Sequence, residues 1–408
     1  MNSQSKNGQW LVLLAAFLGW MFDGLEMGIF PLIARPALRD MLAENKILVG
    51  DWMGYITAMF LIGAACGGYL FGWLGDKIGR VRAMTFSVLA YSVFTGLGYF
   101  AQSPLQLGML RFLAALGMGG EWSLGVALVM ECWPEKRRPI LAGLIGAASN
   151  VGFLLVGFIG YEFEITKSSW RWVMLVGIAP ALLTVLIRLF VPESEKWQKA
   201  VAKGGTHPMK EIFSGVLLKR TLLGIVFASV ALIGTWAAVQ WIPSWIDKMA
   251  PDQPHAKAVA QMCSMLGAII GCIVAPMLGD LLGRRMGYFL LCLVSLVACG
   301  ILFREFNVYS TGLLVMIAIV GAVTAAFYGW LPLYLPELFP TRVRATGQGV
   351  SFNSGRVLAA AGALLQGKLV GYFDESYAKA GSIITLIYIV GMIAIWFAPE
   401  TKGQPLPE

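Results

Sequence analysis

Long apolar runs, separated by short polar connectors, follow one another along the whole chain. Runs of roughly 20 to 27 residues predict helices long enough to cross a bilayer. The first six lie near residues 10–33, 52–74, 83–101, 105–131, 139–161 and 170–191. The second six lie near residues 221–246, 258–279, 286–303, 311–335, 345–370 and 380–398. The pattern therefore predicts an all-α membrane protein with twelve transmembrane helices.

The longest polar connector lies between the sixth and seventh predicted helices. It holds six lysines and arginines and the helix-breaking pair Gly204-Gly205. We therefore expect an N-terminal six-helix bundle over residues 1–191, a linker over residues 192–220, and a C-terminal six-helix bundle over residues 221–408.

Composition excludes the soluble and the disordered classes. Hydrophobic residues make up 58% of the chain and charged residues 13%, whereas soluble domains carry about 25% charged residues. The net charge of +8 is spread over short loops, so we do not expect nucleic-acid binding. Eighteen lysines and arginines fall on the side of the connectors that holds both chain ends, and ten fall on the other side. Because Lys and Arg are retained in cytoplasmic loops, we expect both termini in the cytoplasm.

The residues needed for enzyme chemistry are scarce. Most of the six cysteines lie within apolar runs, and both histidines, His207 and His255, lie in connectors. No metal-ligand spacing, nucleophile–base arrangement or phosphate-binding loop is present in the sequence. We expect no enzyme activity, no catalytic residues, no metal and no other cofactor, and an ion gradient rather than ATP as the driving force.

Three motifs occur twice, at nearly the same spacing. The first is Gly72-Trp-Leu-Gly-Asp-Lys-Ile-Gly-Arg-Val-Arg82, which is repeated 204 residues later as Gly279-Asp-Leu-Leu-Gly-Arg-Arg285. The second is Glu131-x-x-Pro-x-x-x-Arg138, which is repeated 206 residues later as Glu337-x-x-Pro-x-x-x-Arg344. The third is Pro192-Glu-Ser194, which is repeated 207 residues later as Pro399-Glu-Thr401. This order indicates two related six-helix halves, as in transporters whose halves rock around a central site.

These motifs, together with Arg111-Phe-Leu-Ala-Ala-Leu-Gly-Met-Gly-Gly-Glu121, resemble the major facilitator superfamily over essentially the whole chain. Asp23-Gly-Leu-Glu26 and Gly119-Gly-Glu-Trp122 resemble its proton-coupled organic-anion branch, which includes sialic-acid, monocarboxylate and aromatic-acid symporters. The resemblance implies alternating access between two bundles. We expect a monomer in a bacterial inner membrane.

Ionisable residues inside apolar runs need a partner, a watery cavity or a function. Asp23 and Glu26 are three residues apart and so lie on one face of the first helix. Either could bind the coupled proton; alternatively, Glu26 and Arg111 could form a permanent ion pair. The resemblance places Arg111 in a signature linked to proton movement. For Arg111 and for Glu121, coupling and structural pairing remain open.

Arg356 is the cation near the middle of the eleventh helix, three residues after Asn353. Its guanidinium can bind a carboxylate through two parallel hydrogen bonds, so we predict that it binds the substrate; alternatively it holds a first-half acid. Other polar and aromatic residues could line the cavity or serve only as packing. They are Asn150, Gln240, Trp241 and Tyr328.

The repeated loop motif predicts a cytoplasmic gate, in which each acid pairs with the opposite half and glycines form the tight turns. Loop ordering and topology control are the alternative. The predicted gate residues are Asp76, Gly79, Arg80, Asp280, Gly283 and Arg284.

Taken together, the sequence predicts proton-coupled symport of a small organic anion. Its expected partners are that anion, protons and the lipid bilayer. A proton-independent facilitator or exchanger of a sugar or organic solute, and a non-transporting membrane sensor with the same fold, remain alternatives.

Overall fold

The computed structural model describes residues 6–42, 46–163, 167–180, 190–191, 193–202, 208–250, 252–253, 255–373 and 376–408. Every regular element in these ranges is helical. The first half contains α1 (Lys6–Met41), α2 (Lys46–Ile78), α3 (Arg80–Leu97), α4 (Pro104–Met118), α5 (Glu121–Cys132), α6 (Arg138–Glu162) and α7 (Trp170–Val176). The connector contains α8 (Glu195–Ala202) and α9 (Pro208–Ile212). The second half contains α10 (Gly215–Ala237), α11 (Ile242–Met249), α12 (Ala256–Leu282), α13 (Arg284–Glu305), α14 (Thr311–Ala325), α15 (Phe327–Leu338), α16 (Arg344–Tyr372), α17 (Tyr377–Ile384) and α18 (Ile387–Ala394).

Ten helical segments of the described chain are long and apolar enough to cross a bilayer. The other two predicted helices are the sixth, 170–191, and the eleventh, 345–370. α7 covers only the start of the sixth, because residues 181–189 lie outside the described ranges. α16 has 29 residues, but many of them are polar and buried, which indicates that they face protein rather than lipid. The total of twelve and the side on which the termini lie therefore stay predictions.

Some helices predicted as continuous are broken. The fourth divides into α4 and α5 at Gly119-Gly120, where a Cβ on Gly119 would overlap the carbonyl oxygen of Ala64 on α2. The tenth divides into α14 and α15 at Ala326, the equivalent position of the second half. The seventh begins at Gly215 instead of residue 221, and α10 ends at Ala237, so the last six residues of the predicted linker are helical.

Helix packing repeats between the halves. α1 packs on α6 and α2 on α4, as α10 packs on α16 and α12 on α14; between the halves, α2 packs on α16 and α12 on α6. Glycines permit the close approaches, as small residues do in membranes. Gly67 lies against Leu116 O on α4, and Gly271, which is 204 residues later, lies against Ala322 O on α14. The sequence repeat is therefore also a repeat of packing.

One end of the bundle, which we call the loop face, holds residues 75–82, 131–138, 279–285 and 337–344. Near the start of α1, the Gln9 side chain donates to Cys132 O at 3.1 Å. Near the other end of the chain, Pro407 O accepts from Arg344 Nη2 at 2.7 Å. Both described ends of the chain therefore lie at the loop face.

Candidate functional site

Three charged side chains from the two halves lie together near the middle of the helices. Asp23 is on α1, Glu121 is at the start of α5, and Arg356 is on α16. Asp23 is fully buried, and Glu121 and Arg356 are 1% and 3% exposed. Asp23 is within electrostatic range of both other groups. We call these three residues the central cluster.

A glycine on α1 makes room for Glu121. A Cβ built on Gly19 would overlap Glu121 Oε1. Gly19 and Asp23 lie one turn apart on the same face of α1, about 6 Å along its axis, so the Glu121 carboxyl lies beside that of Asp23. Neither carboxyl has a well-formed hydrogen bond to any described residue.

Arg356 is oriented by Asn353. Its Nη1 donates to Asn353 Oδ1 at 3.0 Å, and Asn353 Nδ2 donates to Gly349 O at 2.8 Å and to Gly119 O at 3.4 Å. The second contact crosses to the break between α4 and α5. A guanidinium has five N–H donors, and within the described residues Asn353 takes one of them, which leaves donors that can bind a carboxylate.

A cluster of aromatic rings lies beside Arg356. Its guanidinium lies 5.1 Å from the centre of the Phe352 ring. Phe352 stacks on Trp122, with centroids 4.2 Å apart, and lies 6.4 Å from the rings of Trp20 and Tyr328. The indole N–H groups of Trp20 and Trp122 are buried with no acceptor in the described chain.

Sequence reasoning did not assign these rings to the site, except Tyr328. Trp122 was noted only as part of a motif. The sequence feature that could have pointed to an aromatic site is Phe352, because it lies one turn before Arg356 and therefore on the same helix face.

Glu26 and Arg111 form a separate buried pair. Arg111 Nη1 donates to Glu26 Oε1, and its Nη2 donates to Glu26 O at 3.3 Å. The guanidinium also lies 4.7 Å from the centre of the Phe60 ring. This geometry is the ion pair that the sequence offered as an alternative to proton binding by Glu26.

The remaining predicted binding residues are not all in one place. Tyr328 is within electrostatic range of Arg356. Asn150 links α6 to α12, where its Nδ2 lies 3.5 Å from Cys272 Sγ, and Cys272 is within electrostatic range of Tyr328. Within the described ranges, no group of three or more His, Cys, Asp or Glu side chains is arranged to hold a metal ion.

Gln240 and Trp241 are not brought to the central cluster. They lie in a 3-10 turn after α10, and the Trp241 ring approaches Tyr377 and Gly367. Gly367 is about 16 Å along α16 from Arg356. Both residues were predicted from a continuous seventh helix, but α10 ends before them.

At the loop face, Asp76 contacts the opposite half. It accepts hydrogen bonds from Thr346 N at 2.8 Å and from Thr346 Oγ1 at 2.5 Å, at the first turn of α16. Arg80 holds Asp76 at 2.5 Å and donates across the halves to Thr341 O at 2.8 Å. The Asp76 carboxylate is thus placed at the positive end of the α16 helix dipole.

Glu131 and Arg344 make a second contact across the halves. Arg344 Nη1 donates to Glu131 Oε1 at 3.0 Å, and Arg80 Nη2 donates to the same oxygen at 3.2 Å. Sequence reasoning recorded Glu131 and Arg344 as repeated motifs but gave them no place in the gate. We call the whole set the latch: Asp76, Arg80, Glu131, Thr341, Arg344 and Thr346.

The second copy of the loop motif is arranged differently, which corrects the expectation that each acid pairs with the opposite half. The side chain of Asp280 is 55% exposed, and its described hydrogen bond, from Arg284 at 3.4 Å, stays within its own half. Arg284 is held mainly by Glu337, at 2.9 and 3.0 Å. The equivalent of Arg344 is Arg138, which pairs with its neighbour Glu135 at 3.2 Å. The latch is therefore asymmetric.

The third repeated motif caps helices. Gly79 and Gly283 adopt φ values of 109° and 96°, which only glycine adopts readily. Beyond Gly79, Glu193 accepts from Arg80 N at 3.0 Å and Val81 N at 3.1 Å. Beyond Gly283, Glu400 accepts from Arg284 N at 2.9 Å and Arg285 N at 3.1 Å.

Capping fixes the charge of Glu400. Partial burial raises the pKa of the Glu400 carboxyl, but the hydrogen bonds donated by backbone N–H groups lower it by more. The pKa is therefore held below its ordinary value. Glu400 therefore caps α13 as a carboxylate.

A sequence profile of the Major Facilitator Superfamily matches residues 10–363. The chain belongs to this superfamily. This confirms the resemblance found in its motifs. It is similar to the cis,cis-muconate transport protein of Acinetobacter baylyi (28% identity, covering 99% of this chain and 98% of that one). It is also similar to the sialic acid transporter NanX of Escherichia coli (27% identity, covering 88% and 87%).

A solved structure shows the same fold. The proton:xylose symporter XylE of Escherichia coli superimposes with a TM-score of 0.82 at 17% identity, over 98% of both chains. At this identity, the likeness concerns the fold alone.

Proposed function

We propose that this protein imports a small organic anion with a carboxylate, together with protons, by alternating access. The observation that carries the proposal is the position of Arg356, a buried cation at the junction of the two halves, beside Asp23 and with N–H donors to spare. Both named relatives carry organic acids, which supports an anionic substrate.

The substrate end of the site is Arg356 with its aromatic surroundings. A carboxylate fits the fork of a guanidinium through paired hydrogen bonds, which a lysine cannot reproduce. Phe352 and Trp122 supply apolar area for the rest of the molecule, and the indole N–H groups of Trp20 and Trp122 supply donors. This combination suits a small anion better than a sugar.

The proton end is Asp23. When a substrate carboxylate binds Arg356, Asp23 loses the cation that offsets its charge. A buried carboxylate without a counter-ion is costly, so Asp23 takes up a proton at the same time. Binding of the anion and binding of the proton are thereby linked.

We place the loop face in the cytoplasm, with both chain ends, as the distribution of Lys and Arg indicates. The two halves then rock about the central cluster. The latch closes the cytoplasmic side, and its release opens that side. Residues 192–220 connect the two moving halves.

The test is uptake by the purified protein in proteoliposomes with imposed pH gradients. The panel contains cis,cis-muconate, a sialate, benzoate, lactate and xylose. We expect uptake of at least one carboxylate, driven by an inward proton gradient. In Asp23→Asn, uptake driven by the gradient should disappear while substrate exchange continues.

The alternatives give different results in this assay. Uptake that ignores the pH gradient identifies a facilitator or exchanger, and preference for xylose removes Arg356 from the substrate site. Binding without any flux identifies a sensor. Full gradient-driven uptake by Asp23→Asn contradicts the role given to Asp23.

A further inference from the structure

We propose that Asp23 and Glu121 bind protons as a pair: they hold one proton between them while Arg356 faces them, and two when a substrate carboxylate occupies Arg356. The inference rests on the proposed function and refines it, because it makes Glu121 a direct member of the proton site. It also makes Gly19 the residue that positions Glu121.

Geometry places the two carboxyls together without other partners. Both side chains are at most 1% exposed. All four of their oxygens lack a well-formed hydrogen bond to the described chain. Glu121 reaches Asp23 only because Gly19 has no side chain. An acid pair that is shut off from water and accepts no well-formed hydrogen bond from the described chain is well suited to share a proton.

The neighbouring ionisable groups leave this assignment intact. On α1, Glu26 is neutralised by Arg111 from α4. On α3, Tyr91 lies near both acids and is fully buried. On α16, Arg356 is the cation within range of Asp23. Within the described residues the pair therefore has one counter-ion, which is also the residue proposed to bind the substrate.

Charge balance gives the stoichiometry. With one shared proton the acid pair carries a single negative charge, which Arg356 offsets. When a monocarboxylate binds Arg356, the pair gains a second proton from the outside water, and the site is again neutral. Release of the anion to the cytoplasm returns that proton to the cytoplasm. One proton therefore accompanies each monocarboxylate, and its uptake should not respond to an imposed membrane potential.

The decisive variant is Glu121→Gln. Its uptake of benzoate or a sialate, whichever the wild type transports, is measured as a function of pH. Without the second carboxyl next to it, Asp23 no longer experiences like-charge repulsion. The midpoint of the pH profile should move to more acidic pH by about one unit or more. Gly19→Ala, which keeps both acids but displaces Glu121, should give the same shift. The control is Gly157→Ala, whose new Cβ would lie 3.6 Å from the nearest atom, Met262 Cγ, and which should keep the wild-type midpoint.

A second measurement needs no substrate. In infrared difference spectra of the purified protein taken across pH, the wild type should show the carbonyl band of a protonated carboxylic acid at neutral pH, and Glu121→Gln should lose it. If the wild type is driven by the pH gradient and Glu121→Gln keeps the wild-type midpoint and infrared band, proton sharing by Asp23 and Glu121 is refuted. The proposed function is unaffected by that result. If uptake by the wild type does not depend on the pH gradient, proton coupling itself is refuted. In that case the infrared band still shows whether Asp23 and Glu121 hold a proton.

Discussion

Asp76→Asn should weaken closure of the loop face, because the Asp76 carboxylate accepts hydrogen bonds across the halves. In the wild type its carboxylate accepts two hydrogen bonds from Thr346 while fully buried. Hydrogen bonds to a charged group contribute about 1.5–3 kcal/mol each, and neutral ones about 0.5–1.5 kcal/mol. Removing the charge while keeping one acceptor oxygen should therefore weaken the closed state by about 1–3 kcal/mol. The open population should rise by about fivefold to 150-fold.

Asp280→Asn is the matched control, because it makes the same change at the same position of the repeated motif. Asp280 is half exposed, and its described hydrogen bond comes from Arg284 in its own half. Exposed ion pairs contribute less than about 1 kcal/mol, and this one does not join the halves. The open population should change by less than about twofold.

The assay is alkylation of a single cysteine that is buried behind the latch. Ser123 is fully buried, and its Oγ would lie 3.4 Å from a Cβ on Gly349 of the opposite half. Ser123→Cys, in a chain whose six native cysteines are replaced, should react with an impermeant maleimide only when the loop face opens. The initial rate then reports the open population. Equal rates for the Asp76 and Asp280 variants would refute the asymmetric latch.

Three further predictions concern Arg356, the pair of Glu26 and Arg111, and the Glu400 cap. Arg356→Lys should raise the apparent KM of the carried anion by about tenfold or more, since a lysine loses the paired geometry; an unchanged KM would remove Arg356 from the site. Glu26→Gln should lower the unfolding temperature in detergent, because it leaves Arg111 buried without an anion at a cost of about 3–5 kcal/mol. Adding Arg111→Gln should restore part of the lost stability. No restoration in the double variant would count against a structural pair. Because the pKa of Glu400 is held below its ordinary value in the folded protein, its cap is present at neutral pH and is lost as pH falls through that lowered pKa. Hydrogen exchange at Arg284, corrected for its intrinsic rate, should therefore accelerate in acid, and Glu400→Gln should show the fast rate already at pH 7.

The helices with continuous apolar runs could be predicted from the sequence because burial in lipid imposes a composition on them. Their ends and breaks could not, because distant residues determine these. α3 begins at Arg80, where Glu193 caps it from more than a hundred residues away. α4 ends at Met118, and at the next residue, Gly119, the carbonyl of Ala64 on α2 packs where a Cβ would lie, although the apolar run continues through this point.

The charged members of the site could be predicted from the sequence, but its aromatic members could not, because the two kinds of residue differ in how common they are in apolar runs. Asp23 and Arg356 stand out because ionisable groups are rare in apolar runs. Trp122 and Phe352 do not stand out, since aromatic residues are common there, and their stacking depends on how α5 and α16 approach each other. Gln240 was placed on a continuous seventh helix, whereas α10 ends before it.

A latch made of buried charges is suited to a transporter in a way that an apolar seam is not. Desolvation of ions such as Glu131 and Arg344 nearly cancels their attraction, so a buried ion pair adds little net stability although its geometry is specific. The closed state is therefore well defined yet only slightly favoured, and binding of a small anion at the centre can outweigh it. The second copy of the motif leaves its acid, Asp280, half exposed, so opening has to break one set of contacts across the halves instead of two. In the proposed mechanism, an asymmetric latch between the related halves thus lowers the free energy of the opening step.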